Sequence, residues 1–136
     1  MKISAKAEYA CLAILALARQ RSGDPPVRIR EISEAHDIPE RYLVQILLQL
    51  KRAGLVTSTR GASGGYRLAR PAGSISLGEV LNAIDGPDAP PREPLKPAAQ
   101  VLAAVWELVR AAERAVLDQT SIAQLAERTA PREWVI

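Results

Sequence analysis

The thirteen residues TRGASGGYRLARP, positions 59 to 71, hold three glycines and three arginines. That composition suits a loop that meets phosphate, because glycine lets the backbone come close and arginine supplies charge and hydrogen bonds. Two kinds of phosphate are in question, that of a nucleotide cofactor and that of a nucleic-acid backbone. A Walker-type loop needs Lys followed by Ser or Thr at the head of a helix, and a dinucleotide fingerprint needs a strand before it and a helix after it. Neither is present. After the glycines comes YRLA, where Tyr66 and Leu68 share one face and Arg67 takes the other, the alternation of a strand. The loop is therefore expected to be a basic hairpin, with a purely structural hairpin as the competing reading. In the basic reading Gly61, Gly64 and Gly65 give clearance against a duplex. Arg60 would enter the minor groove, with Gly61 and Ser63 beside it.

Little else in the chain suggests chemistry. It has one cysteine, Cys11, and one histidine, His36. No nucleophile can be paired with a base, no carboxylate pair falls in an evident cleft and no metal-ligand cluster is spelled out, so an enzyme is not expected. Cys11 lies amid Leu12, Ile14 and Leu15 on a helix. A small buried apolar residue is the first reading there and a redox sensor the second.

Periodicity gives the elements that must position the loop. Residues 4–20 read as a helix capped by Ser4, and 28–36 as a short helix with Ile29, Ile32 and Ala35 on one face. After a two-residue joint, Pro39 is expected as the first residue of a helix running to the stop at Gly54, with Leu43, Ile46, Leu47 and Leu50 facing inward. A short helix, a tight joint and a longer helix are the proportions of a helix-turn-helix. The period then turns extended through LVTSTR, the loop and YRLA, the order of a winged helix. Residues 74–86 give one more helix, with Ser76 and Glu79 as a capping box and Gly86 as its end.

The expected fold is mainly α with a small two-stranded β wing. Residues 1–86 form the winged helix-turn-helix domain, 87–97 a Pro-rich linker, and 98–136 a long helix, a short helix and a tail. In the long helix Ala98, Leu102, Val105, Val109, Ala112 and Val116 are spaced by alternating fours and threes, a coiled-coil seam. Glu107, Arg110, Glu113 and Arg114 line another face. So long a stripe predicts a homodimer paired through this helix, with Trp106 off the seam, against the partner or beside an effector pocket.

Charge is divided unevenly. Residues 1–75 carry 12 Lys and Arg against 6 Asp and Glu, and residues 76–136 carry 6 against 9, so a polyanion partner is sought in the first part. The start imitates a signal peptide, but Glu8 interrupts it and the apolar run is too short to span a bilayer. A reduced cytoplasm, with no membrane partner, is the expectation. On the helix 39–53, Arg41 can read guanine, Gln45 adenine and Val44 a thymine methyl. Lys2, Lys6, Arg28, Arg30, Tyr42, Lys51, Arg52 and Arg67 are the candidate phosphate contacts.

Four segments, MKISAKAEYA, IREISEAHDIPERYLVQIL, LKRAGLVTSTRGASGGYRLARP and ISLGEVLNAIDG, together resemble the Rrf2 family of bacterial winged-helix transcriptional regulators, which includes IscR, NsrR and CymR. The similarity spans residues 1 to 86 almost continuously. It implies a dimeric DNA-binding regulator, most often a repressor, crossed through its long helix, with one winged helix on each half of a near-palindromic operator. Some members have an acidic residue where this chain has Val44, so their operators cannot be copied to it. The iron–sulfur members carry three cysteines in the loop before the dimerisation helix; here GPDAPPREPLKP has none. No iron–sulfur cluster and no other cofactor is expected, since thiolates hold such clusters. The signal is then a small molecule, a partner protein or a thiol modification. A winged-helix module for protein association, with no specific DNA target, is the alternative.

Overall fold

The computed structural model describes residues 1–86, 93–94 and 96–129. The linker expected at 87–97 and the tail at 130–136 fall largely or wholly outside them. The first helix, α1 (Ala5–Ala18), begins where the Ser4 hydroxyl accepts from the Ala7 amide at 3.0 Å. Its inward face is built from Ala7, Ala10, Ala13, Ile14 and Leu17, all buried. Three alanines in that row keep the helix thin, so other helices can pack close around it.

Helix α2 (Ile29–His36) ends at Asp37, whose backbone is left-handed at φ 52°. Asp tolerates that conformation better than most residues, and the reversal drops Ile38 into the core at 1 % exposure. The Ser33 hydroxyl fixes the turn by donating to the Ile38 carbonyl at 2.6 Å. Pro39 is the N-cap of α3 (Glu40–Arg52), not its first residue. Its ψ of 132° is extended, and its carbonyl accepts the first helical bond, from the Tyr42 amide at 3.0 Å. Gly54, at φ 77°, then closes α3, with the Leu55 amide donating back to the Leu50 carbonyl at 3.0 Å.

Strands β1 (Val56–Thr59) and β2 (Gly65–Leu68) pair antiparallel, Val56 opposite Leu68 and Thr59 opposite Gly65. Val27 forms a separate antiparallel bridge to β2, exchanging both backbone hydrogen bonds with Tyr66 at 2.7 and 3.0 Å. Helix α4 (Leu77–Asp85) carries the full Ser76–Glu79 capping box. The long helix is α5 (Pro97–Gln119), and α6 (Ile122–Thr129) comes after it.

The sequence pattern groups α6 with the dimerisation region, yet α6 packs into the core of the first unit. Ile122 is fully buried, its amide donates to the Ile75 carbonyl at 2.9 Å, and α6 lies against α1. One core thus joins α1, α3, α4 and α6, and α5 packs against α4 on its surface.

Candidate nucleic-acid interface

At 100° per residue, burying Leu43, Ile46, Leu47 and Leu50 turns Arg41, Val44, Gln45, Leu48 and Arg52 outward. All five are exposed, so α3 presents a continuous stripe of two guanidiniums, an amide and two apolar side chains. Leu48 is the one that periodicity alone does not single out. At 45 % exposure it lies in the middle of the stripe, and its signal is its absence from the inward set although its two neighbours, Leu47 and Gln49, turn away from solvent. Tyr42 stands at the edge of the stripe. The Arg41 guanidinium lies 5.3 Å from the centre of the Tyr42 ring, and that ring lies 6.5 Å from the ring of Tyr9 on α1. Gln49 is partly buried, its Oε1 without a hydrogen-bond partner among the described residues.

The hairpin presents Arg60, Gly61 and Ser63 to solvent. Its glycines divide by role. A Cβ on Gly64 would overlap the Thr59 carbonyl, and one on Gly65 would come within 2.6 Å of the Val27 carbonyl. These two are required by the closure of the wing and its seating on Val27, which revises their reading as clearance for DNA. Gly61, at φ 104° with open space around it, is the one glycine of the loop that faces outward.

The candidate phosphate contacts also separate. Arg28 donates to the Ala62 carbonyl at the wing tip, and Arg67 to the Asp24 carbonyl at 2.5 Å, so both brace the wing against the segment before α2. Lys51 donates to the Ser58 hydroxyl at 2.7 Å, tying α3 to β1. Arg30 pairs with Glu34 at 3.2 Å on the surface of α2. Lys6 is partly buried, whereas Arg52 and Lys2 are exposed. Lys2 lines a cavity of about 580 Å³ between α4 and α5, together with Trp106, Arg110 and Arg114.

On α5 the seam residues Leu102, Val105, Val109, Ala112 and Val116 are all exposed, joined by the exposed Val101 and Leu108. No residue of this 23-residue helix is buried. Glu107 accepts from Arg110 at 2.9 Å and Arg114 at 3.5 Å, and the Arg110 hydrogen bond holds its carboxyl below the usual carboxylate range. Cys11 is half-buried, and burial, helped by Glu8, pushes its thiol up to about 11.

The Rrf2 family model, described as an iron-dependent transcriptional regulator, matches residues 3–128. The chain belongs to the Rrf2 family. It is similar to an HTH-type transcriptional regulator of Mycobacterium tuberculosis H37Rv, 42 % identical over 96 % of this chain and 84 % of that one. It is similar also to CymR of Bacillus subtilis, 36 % identical over 95 % of this chain and 92 % of that one. The solved structure of CymR, the global cysteine regulator of B. subtilis, superposes with a TM-score of 0.83, covering 96 % of this chain and 99 % of that one at 34 % identity. The match to IscR of Cereibacter sphaeroides is 46 % identical but takes in only 62 % of this chain and 56 % of that one. This Rrf2 protein is a winged-helix transcriptional regulator and not an enzyme. Among the described residues no helix is long and apolar enough to cross a membrane.

Iron, in the family's description, meets a donor set that does not fit it. The whole sequence offers one cysteine and one histidine, and no group of three His, Cys, Asp or Glu comes together among the described residues. Cys11, with its thiol held protonated, is a poor first ligand.

Proposed function

We propose that this Rrf2 protein is a cytoplasmic homodimer that represses transcription by occupying a near-palindromic operator, without an iron–sulfur cluster. Helix α3 enters the major groove and the wing, residues 60–66, the minor groove. The observation that carries the reading is the outward stripe of α3 beside a hairpin that presents Arg60. A solvated helix face has no need of Val44 and Leu48 at 51 % and 45 % exposure, whereas a major groove offers thymine methyls to them, guanine to Arg41 and adenine to Gln45. The exposed seam of α5 supports pairing of two copies, which sets two α3 helices at a fixed spacing on two half-sites. The sequence match to CymR covers 95 % of this chain and that to the C. sphaeroides IscR 62 %, and the chain holds a single cysteine where a cluster needs several thiolates. That pattern supports a cluster-free mechanism. The protonated Cys11 favours a small molecule or protein as signal over a thiol modification.

The test is to incubate the purified protein with fragmented genomic DNA, sequence what it retains, and measure affinity for the best fragment across a salt series. Retained promoters with a two-fold repeat, and affinity falling steeply with salt, are expected. Arg60→Ala should weaken binding to that fragment by roughly 1–3 kcal/mol. Undiminished affinity in that variant would remove the wing from the interface. Binding to no fragment above background would favour the protein-association module, and a brown preparation would contradict the cluster-free assignment.

A further inference from the structure

Arg41 and Tyr42 are neighbours in sequence and so diverge by 100° around α3, yet the Arg41 guanidinium lies 5.3 Å from the Tyr42 ring centre. It has folded sideways onto that ring. The ring is itself held, because Tyr9 of α1 meets it at 6.5 Å between centres with a tilt of 38°. Tyr9 is in turn anchored, partly buried against the core cluster that includes Ala7, Ala10 and Ile46. An exposed arginine ordinarily samples many rotamers, and ordering it on binding costs affinity. A guanidinium already resting on an aromatic face has fewer to lose, and a ring locked by a second ring offers a fixed face.

We propose that Tyr9 is a positioning residue for base reading: through the Tyr42 ring it poises Arg41 at the entrance of the major groove before DNA arrives. The inference rests on the reading of α3 as the groove helix and adds to it a residue on another helix that need touch no base. It concerns the ring of Tyr9, not its hydroxyl. A phosphate contact would need the hydroxyl and would leave Arg41 unaffected.

The experiment is a double-mutant cycle on the full-length protein, with affinity for the retained DNA fragment read by fluorescence anisotropy at several salt concentrations. The variants are Tyr9→Phe, Tyr9→Leu and Arg41→Ala, and the two Tyr9 changes combined with Arg41→Ala. Tyr9→Phe should bind within about twofold of the parent, and Tyr9→Leu about fivefold more weakly with an unchanged salt slope. In the Arg41→Ala background Tyr9→Leu should cost almost nothing further. Three outcomes would overturn the proposal: Tyr9→Phe losing as much as Tyr9→Leu with a shallower slope, which assigns the hydroxyl to a phosphate; an equal Tyr9→Leu loss with and without Arg41, which assigns Tyr9 to the fold; or no loss in Tyr9→Leu. A parent protein that binds no DNA specifically would overturn the groove-helix reading itself. Normal binding by the parent without coupling in the cycle overturns only the role of Tyr9.

Discussion

The Cys11 thiol sits half-buried on α1, and that burial, with Glu8 one turn earlier, raises its pKa to about 11. Only the thiolate is nucleophilic, so at pH 8 the folded protein presents roughly one reactive sulfur in a thousand. Alkylation by iodoacetamide is expected to be far slower in the native state than in denaturant, and to rise about tenfold per pH unit until the fold's own pKa is reached. The same shift gives stability a pH dependence of definite sign. Because the folded pKa lies above the ordinary thiol value of 9.0, the thiol's contribution to stability is altered only as pH rises from about 9 toward 11: the unfolded chain ionises there first, so stability falls across that window. Rapid native alkylation at pH 7 would restore the redox-sensor reading. The glycines of the wing likewise take their roles from their surroundings. Their spacing identified a loop, but whether each serves the ligand or the hairpin depends on what a Cβ would strike, and the carbonyls that Gly64 and Gly65 would meet come from Thr59 and from Val27, which lies far away in sequence.

Among the elements, those governed by local rules were legible from the sequence: the Ser4 and Ser76 caps, the Gly54 stop, the inward stripe of α3 and the wing strand β2. What escaped depends on contacts distant in the chain. Arg28 and Arg67 look like free cations in sequence, and become braces only once the wing folds back beside residues 24–28. The stacking of Arg41 on a Tyr42 ring held by α1 is equally invisible to periodicity. Helix α5 shows the converse, a pattern plain in sequence whose purpose a single chain leaves unmet. With Val101, Leu102, Val105, Trp106, Leu108, Val109 and Val116 all in water and no residue of the helix buried, it is expected to associate. A Val105→Glu, Val109→Glu double variant places two charges in the seam and should shift the protein from dimer to monomer in sedimentation equilibrium, with thermal stability of the core little changed. Since half-site binding forgoes the second set of contacts, operator affinity should fall by about a hundredfold or more. A dimer that survives both charges would move the interface off this seam.

For the molecule as a whole, the consequence lies in how α5 is held. At about 1.5 Å per residue its 23 residues extend roughly 34 Å, and its C-terminal end is fixed to the core in two ways. The Leu77 amide donates to the Thr120 carbonyl at 2.8 Å, and Ile122, just beyond the helix, is buried against the core with its own amide on Ile75. The far end leads into the linker. If two copies pair along α5, the angle between each α5 and its core sets the separation of the two α3 helices, so this anchor fixes the spacing of the half-sites that the dimer can read. Ile122 then has two duties that can be separated by measurement. Ile122→Ala removes a fully buried side chain and should cost roughly 2–4 kcal/mol in urea unfolding. It should also relax the preference for one half-site spacing, measured as the affinity ratio between the native operator and versions with one base pair added or removed, at a temperature where the variant is still folded. A stability loss with the spacing preference intact would confine Ile122 to the core and place the control of spacing elsewhere along α5.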